Sequence, residues 1–461
     1  MLSNLKIAKQ HLGERIINQL LNYLKQDPMS NIPRALDLLC RAPIAPRHRQ
    51  LIQQLKLLFE NSPVMKIYFN RILTEVNENV QQRFLFNLFI NASLIGIPKH
   101  IKLSQELGYN IPYTILIDPT SKCNLKCKGC WAGAYPNHKD LSFEEVDRII
   151  TEAKELGIYF FVMSGGEPLM WPYIFQLCEK HGDAAFMIYT NGTLIDEATA
   201  EKMQQAGNIT PAISLEGGRE YTDSRRGTGV YDTIMAAMDN LKKHGIIFGI
   251  SLTVTSQNYL EVFSDEFIDA MIHKGVLYGW SFHYMPIGRS PDFSLVLKPE
   301  QRAWLIDRVR YIRSHKPIQI ADFWNDGQMT QGCIAGGKYY FHINAAGDVE
   351  PCAFVHFAVD NIKGKSLKQV LNSPLFSAYQ KRQPFSRNLL RPCPFIDVPQ
   401  ALREIVAESG AVETHDGAGA VLFGSAGEKI EGIANNWKPF ADVKWQEIEE
   451  RNKSKGEEAV S

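Results

Sequence analysis

Between residues 115 and 290, short apolar runs alternate with longer stretches whose apolar residues recur every three or four positions. Ile115-Leu116-Ile117, Ile158 to Met163, Ala185 to Ile188 and Pro211-Ala212-Ile213 read as strands. The longer stretches read as helices. Ser142 to Glu145 spells a capping box, with Leu141 and Val146 placed as a hydrophobic staple, and the helix it starts stops at Gly157. Further helices are predicted from Trp171 to His181, Asp196 to Ala206, Val230 to His244 and Tyr259 to Lys274. Alternation of this length predicts parallel strands with right-handed crossovers, hence an α/β open sheet or barrel.

The flanks read differently. Residues 14 to 25, 33 to 41, 47 to 60 and 63 to 80 show helical apolar spacing. Phe84 to Ile97 is the most apolar stretch of the chain, broken by Asn87 and Asn91. It falls short of the about 20 residues of a membrane span. Packing against the barrel is its plain reading, and a greasy lid or membrane-surface element is the competing one. Near the other end, Tyr339 to Cys352 alternates as a hairpin around Ala346-Gly347-Asp348, and the polar tail from Arg451 reads as disordered. The expected units are a helical region over 1–110, a core over 111–315, a small module over 316–400, and helix plus tail over 401–461.

Composition narrows the function. Fifty basic and fifty acidic residues leave no net charge, so nothing electrostatic points to nucleic acid. No signal-peptide pattern opens the chain. Eight cysteines, mostly in sets, predict a reducing cytoplasmic setting rather than disulfides. Cys178 and Cys40 lie among apolar helical positions and read as packing thiols.

Chemistry gathers at the strand ends. Cys123, Cys127 and Cys130 place three thiolates in eight residues after the first strand. That spacing suits an iron–sulfur cluster with one iron left open. It also admits a zinc site completed by His138, or a disulfide that strands one thiol. Ser164-Gly165-Gly166-Glu167-Pro168 follows the next strand. Its glycines allow close backbone approach to a ligand, and Glu167 offers an acceptor for a ligand ammonium.

With these residues in this order, the chain resembles the radical S-adenosylmethionine (SAM) superfamily. The resemblance implies a partial (β/α)6 TIM-like barrel. It implies a SAM-binding 4Fe-4S cluster on Cys123, Cys127 and Cys130, which cleaves SAM to a 5′-deoxyadenosyl radical. Gly165, Gly166, Glu167 and Pro168 would hold the SAM amino group. Thr190-Asn191-Gly192 and Ser214-Leu215-Glu216-Gly217 resemble SAM- or substrate-contacting strand ends, with glutamate where relatives carry aspartate. Arg226 sits where relatives keep an arginine near the SAM carboxylate; the alternative for Arg225 and Arg226 is a solvated charge pair. Tyr284 to Arg289 resembles a segment of peptide-modifying relatives. One departure stands out: Gly129 occupies the position before the third cysteine that is often aromatic, and Trp131 follows instead.

Cys333, Cys352 and Cys393 form a second set, resembling the auxiliary-cluster domain of SPASM and twitch proteins. Three cysteines imply a small twitch-like module with one auxiliary cluster, its fourth iron open or bound by His356 or Asp397. His342 and His356 otherwise read as packing or hydrogen-bonding residues. The expected activity is functionalisation of a substrate C–H bond, with a flavodoxin- or ferredoxin-type electron donor. The substrate is a peptide or a hydrophobic molecule; a neighbouring precursor-peptide gene would favour the first, liposome co-sedimentation the second. Membrane-surface contact is not favoured. The alternative from another class is a non-catalytic iron–sulfur electron carrier.

Overall fold

The computed structural model describes residues 19–41, 46–135 and 139–458. Seven parallel strands carry the core: β1 (Thr114–Ile117), β2 (Phe160–Met163), β3 (Ala185–Thr190), β4 (Ile209–Leu215), β5 (Gly249–Val254), β6 (Tyr278–His283) and β7 (Gln319–Asp322). Each pairs with the next in sequence order. A short hairpin, β8 (His342–Ile343) and β9 (Val349–Glu350), adds to the far side of β1, with β8 parallel to it. The nine strands run β7-β6-β5-β4-β3-β2-β1-β8-β9, a partial barrel that does not close.

The helices between the strands follow from their amphipathic spacing. Phe143–Leu156 buries Val146, Ile149, Ile150, Ala153 and Leu156, and its capping box forms, Glu145 N–H donating to Ser142 Oγ at 3.1 Å. Two predicted helices are shorter than their patterns. The one expected from Trp171 starts at Ile174, because Trp171 is held in the preceding turn by its indole N–H on the Leu141 carbonyl, 3.0 Å away. The one expected over 259–274 divides into Tyr259–Val262 and Asp265–His273, because Ser264 Oγ accepts from Phe267 N–H and starts a new helix. Strand β7 lies beyond the expected core limit of 315. The segment from Arg451, expected to be disordered, continues the helix Gly424–Glu458, as its lysine- and glutamate-rich composition allows.

The N-terminal region closes the bottom of the barrel. A continuous helical path runs from Glu78 to Leu107, π-helical over Gln81–Gly96, so the apolar stretch belongs to a 30-residue helix long and apolar enough to cross a membrane. The flanking residues, read separately in the sequence, supply the extra length. Yet one side of this path, together with Arg71 and Asn77 just before it, bonds the loops that lead into the strands. Arg71 donates to the carbonyls of Ile272, Val276 and Pro317, ahead of β6 and β7. Asn77 N–H takes Gly245 O ahead of β5. Asn79 and Arg83 take the carbonyls of 204–206 ahead of β4. Asn87 takes Gly182 and Ala184, and Asn91 takes Asp183, ahead of β3. Gly96 lies against Gly157 ahead of β2, where a Cβ would stand 2.5 Å from the carbonyl oxygen. The path visits the strand starts in spatial order and then enters β1. Buried loop carbonyls need donors, and amide and guanidinium side chains spaced along one side supply them. Packing against the barrel thus accounts for one side of this segment, while Phe89, Ile95 and Ile101 stay exposed.

Candidate functional site

The loop Cys123–Cys130 has no regular structure of its own, and every downstream motif moors it. Gly166 N–H donates to Thr120 O and Glu167 N–H to Lys122 O, so the Gly-Gly turn lies directly under the loop. A Cβ on Gly166 would collide with the Lys122 carbonyl. These glycines thus allow close approach to the chain's own cysteine loop, where the sequence suggested approach to a ligand. Glu167 is fully buried and ties two strand ends together: it accepts from Thr190 Oγ1 at 2.7 Å, Asn191 N–H at 2.7 Å and Leu169 N–H at 3.1 Å. A carboxylate has about four acceptor sites, so little capacity is left for a ligand ammonium. Burial raises its pKa, against which these hydrogen bonds act. Pro168 opens a short 3₁₀ turn, and Ser214 is half-buried at the end of β4.

From β3, Asn191 Nδ2 donates to Asn124 Oδ1 at 2.8 Å and stands 3.9 Å from Cys123 Sγ. Beyond β4, Arg225 and Arg226 converge on buried Glu216, each at 2.5 Å. They are not a solvated charge pair. Burial would raise the Glu216 carboxyl, but Arg226 and Arg225 offset it and hold it below the usual range. Arg226 also reaches Cys127 Sγ at 4.0 Å, while Arg225 donates to Lys128 O. After β6, Arg289 N–H donates to Cys130 O.

The departure at Gly129 has a structural answer. Its φ is +61°, and a Cβ there would meet the Tyr284 ring, 2.7 Å from its hydroxyl. Tyr284, from the end of β6, fills the space an aromatic residue at 129 would take. Nothing in local sequence pairs two positions so far apart.

The third wall comes from the hairpin and the segment after it. Trp131 meets Phe354 edge-on at 6.1 Å and His342 at 5.7 Å. Tyr135 donates to Glu350, two residues before Cys352, and His342 lies between Glu350 (2.7 Å) and Asp118 (2.9 Å). All three are buried. Burial alone would lower the histidine, but the two carboxylates raise it to about 10, so it is charged at neutral pH. His356 instead pairs with His415 at 2.6 Å, and burial lowers it to about 4. Rings continue inward from Phe354 to Phe323, Trp324 and Phe282, and from Phe282 to Tyr189 on β3. This aromatic wall across the barrel mouth was missed in the sequence, because its rings come from segments far apart in the chain.

Cys333, Cys352 and Cys393 line one cavity of about 230 Å³, walled otherwise by Trp280, Phe323, Trp324 and Phe395 among others. The two suggested non-cysteine ligands are engaged elsewhere. Asp397 pairs with Arg302 at 2.6 Å, and His356 is held by His415. Cys178 is buried as expected, but Cys40 is only half-buried because Leu38 and Leu39 beside it face outward. His138 lies outside the described residues.

Both cysteine sets are chemically suited to iron–sulfur clusters. Donors face the sulfurs: Leu125 N–H at 3.4 Å from Cys123, and the Tyr340 hydroxyl at 2.8 Å from Cys352. Among the described residues, no three His, Cys, Asp or Glu side chains converge closely enough to hold a single metal ion, as zinc would require. A cubane spreads its thiolates over separate irons and makes no such demand. Burial pushes Cys123 to about 11 and Cys352 to about 12, so binding a cluster must release protons.

Residues 117–262 match the family model of the radical SAM superfamily. The chain carries a radical SAM domain. Residues 333–394 of this radical SAM protein match the SPASM model, an iron-sulfur cluster-binding domain, and all three second-set cysteines fall within the match. Its cofactors are SAM, a SAM-binding 4Fe-4S cluster and auxiliary iron–sulfur chemistry. It is 26% identical over 290 residues to the AdoMet-dependent heme synthase of Methanosarcina barkeri, covering 57% of this chain and 82% of that protein. It is 27% identical over 312 residues to the mycofactocin maturase MftC of Mycobacterium tuberculosis, covering 63% and 78%. In fold it resembles Streptococcus suis SuiB bound to S-adenosylmethionine, with a TM-score of 0.54 at 20% identity over 65% of this chain and 76% of that one.

Proposed function

We propose that this protein is a radical SAM enzyme that functionalises a C–H bond in a substrate presenting an apolar or aromatic group. Cys123, Cys127 and Cys130 hold the SAM cluster, and Cys333, Cys352 and Cys393 hold one auxiliary cluster. When bound, the cluster and SAM supply a primary carbon radical able to take hydrogen from an unactivated carbon. The chain's own residues do the rest. Gly165, Gly166 and Pro168 shape the floor beneath the cysteine loop. Glu167 and Thr190 fix the ends of β2 and β3, Asn191 steadies the loop at Cys123, and Ser214 stands near the end of β4. Arg226, balanced by Glu216, sets a positive charge beside Cys127 and near an incoming carboxylate. The rings of Trp131, Phe282, Phe323 and Phe354 exclude water from the space above.

The observation that carries this reading is the contact of Trp131, next to Cys130, with Phe354, two residues past Cys352. It brings the two cysteine sets to one aromatic wall at the barrel mouth, where an apolar group of a substrate would lie between them. The names of MftC and of SuiB with its precursor peptide favour a peptide as the source of the reacting group. That of the heme synthase favours a hydrophobic small molecule. A flavodoxin- or ferredoxin-type donor fits the need for single electrons.

The test is an anaerobic SAM-cleavage assay on reconstituted protein with dithionite, beside a Cys123→Ala/Cys127→Ala/Cys130→Ala variant. 5′-Deoxyadenosine from the intact protein alone supports the reading, and apolar peptides against hydrophobic small molecules as stimulants separate the substrate classes. Iron-loaded protein that neither binds nor cleaves SAM would return the electron-carrier reading.

A further inference from the structure

Tyr379, on the helix Pro374–Arg382, is fully buried and lines the cavity shared by Cys333, Cys352 and Cys393. Its hydroxyl oxygen is shut off from solvent and makes no hydrogen bond within the described chain. A buried hydroxyl without a partner costs about 1–3 kcal/mol, so its position calls for an acceptor. The ring is not free to swing away. Gly336, at φ +64°, lies flat against it, where a Cβ would stand 2.6 Å from the ring, and Phe385 meets it edge-on at 5.6 Å.

Few acceptors are open to it in the cavity. Of the two acids on the wall, Asp322 accepts from Asn325 and Asp326 is paired with Arg313. The remaining wall is largely aromatic and aliphatic, apart from the three sulfurs. A second tyrosine already shows the chemistry: Tyr340 places its hydroxyl 2.8 Å from Cys352 Sγ. A neutral phenol beside anionic sulfur can only donate.

Resting on the auxiliary-cluster reading above, we propose that Tyr379 and Tyr340 are paired hydrogen-bond donors to that cluster. Tyr340 acts through Cys352, and Tyr379, which lines the same cavity, would donate to a sulfur of the cluster. Together they raise its reduction potential, since the reduced cluster carries one more negative charge and gains more from each donor.

The experiment uses full-length protein carrying Cys123→Ala/Cys127→Ala/Cys130→Ala, so that only the second set can load. Iron, sulfide and the EPR-monitored midpoint potential are measured for this parent and with Tyr379→Phe, Tyr340→Phe or both. Each Phe variant is expected to keep the parent's iron and sulfide and to titrate at a more negative potential, the double variant furthest. Pulsed ENDOR in H₂O and D₂O should show an exchangeable proton coupled to the cluster that Tyr379→Phe removes. An unchanged midpoint and proton signal in Tyr379→Phe would overturn the proposal, leaving water as the hydroxyl's partner. So would loss of one iron with a three-iron EPR signal, which would make Tyr379 a ligand. A parent that takes up no iron would instead overturn the auxiliary-cluster reading itself.

Discussion

The two ends of the barrel are held by opposite means. At the C-terminal rim an irregular loop is gripped by strand ends, through a buried ion triad, a glycine at positive φ and backbone contacts too close for a Cβ. At the N-terminal end a regular helical path lies across the strand starts, and neutral amides and two arginines occupy loop carbonyls one after another. The rim positions groups at the cost of burying charge. The base buries a charge too, at Arg71, but directs it at backbone carbonyls. Changes at the rim should therefore alter cluster and SAM binding along with stability, and changes at the base should alter stability alone.

The largest effect is expected at the rim. Glu216→Ala leaves the nearly buried Arg225 and Arg226 facing each other without a counter-charge, a loss of about 3–5 kcal/mol. Denaturant unfolding measures it, and SAM binding to the folded fraction should weaken because Arg226 is released from Cys127. A loss under about 1 kcal/mol would mean the triad is solvated after all.

That triad also marks where the sequence stops being legible. Strand–helix alternation, both cysteine sets and the order of the rim motifs could all be read from local pattern. What could not be read were pairings between distant positions. For Arg225 and Arg226 a solvated pair stood open beside a carboxylate-binding role until Glu216 was found beneath them. Gly129 looked like a departure until Tyr284 was found in its space. The Gly165-Gly166 turn meets residues 120–122, and the ring wall joins β3, β6 and the segment after β9. Periodicity reports which face of an element is apolar, not which element covers it. At the base a signal was present: Asn79, Arg83, Asn87 and Asn91 recur every four residues.

Arg71 tests the base. It donates to three loop carbonyls and is held by Glu75, so Arg71→Ala should cost about 3 kcal/mol by leaving those acceptors without donors. SAM cleavage per folded molecule should not change. If activity fell while stability held, the base would be coupled to the chemistry and the contrast between the two ends would fail.

His342 sharpens the contrast through pH. Its pKa is raised to about 10 by Asp118 and Glu350, against about 6.5 when unfolded. A group raised on folding contributes its full stability below its unfolded pKa and loses it as pH climbs through the folded one. Stability should thus fall between about pH 7 and 10, and His342→Gln should flatten that slope. An equal slope in the variant, followed by thermal unfolding across the range, would assign the loss to other groups.

The smallest effect separates shape from hydrogen bonding at the base. Asn87 is buried within the most apolar part of its helix, where leucine would suit the surroundings better by hydrophobicity alone. Its amide, however, donates to Gly182 O and Ala184 O at 2.9 Å each, and its carbonyl accepts from Asn91. Asn87→Leu therefore exchanges a gain in apolar burial for two loop carbonyls without a donor. The second term is larger because no solvent can replace the lost donor, so a net loss of about 1–2 kcal/mol is expected, with SAM cleavage unchanged. A stabilised variant would show that the helix is held by its apolar contacts and that the amides merely fill space. The ordered bonding of strand starts would then be a consequence of packing rather than its cause.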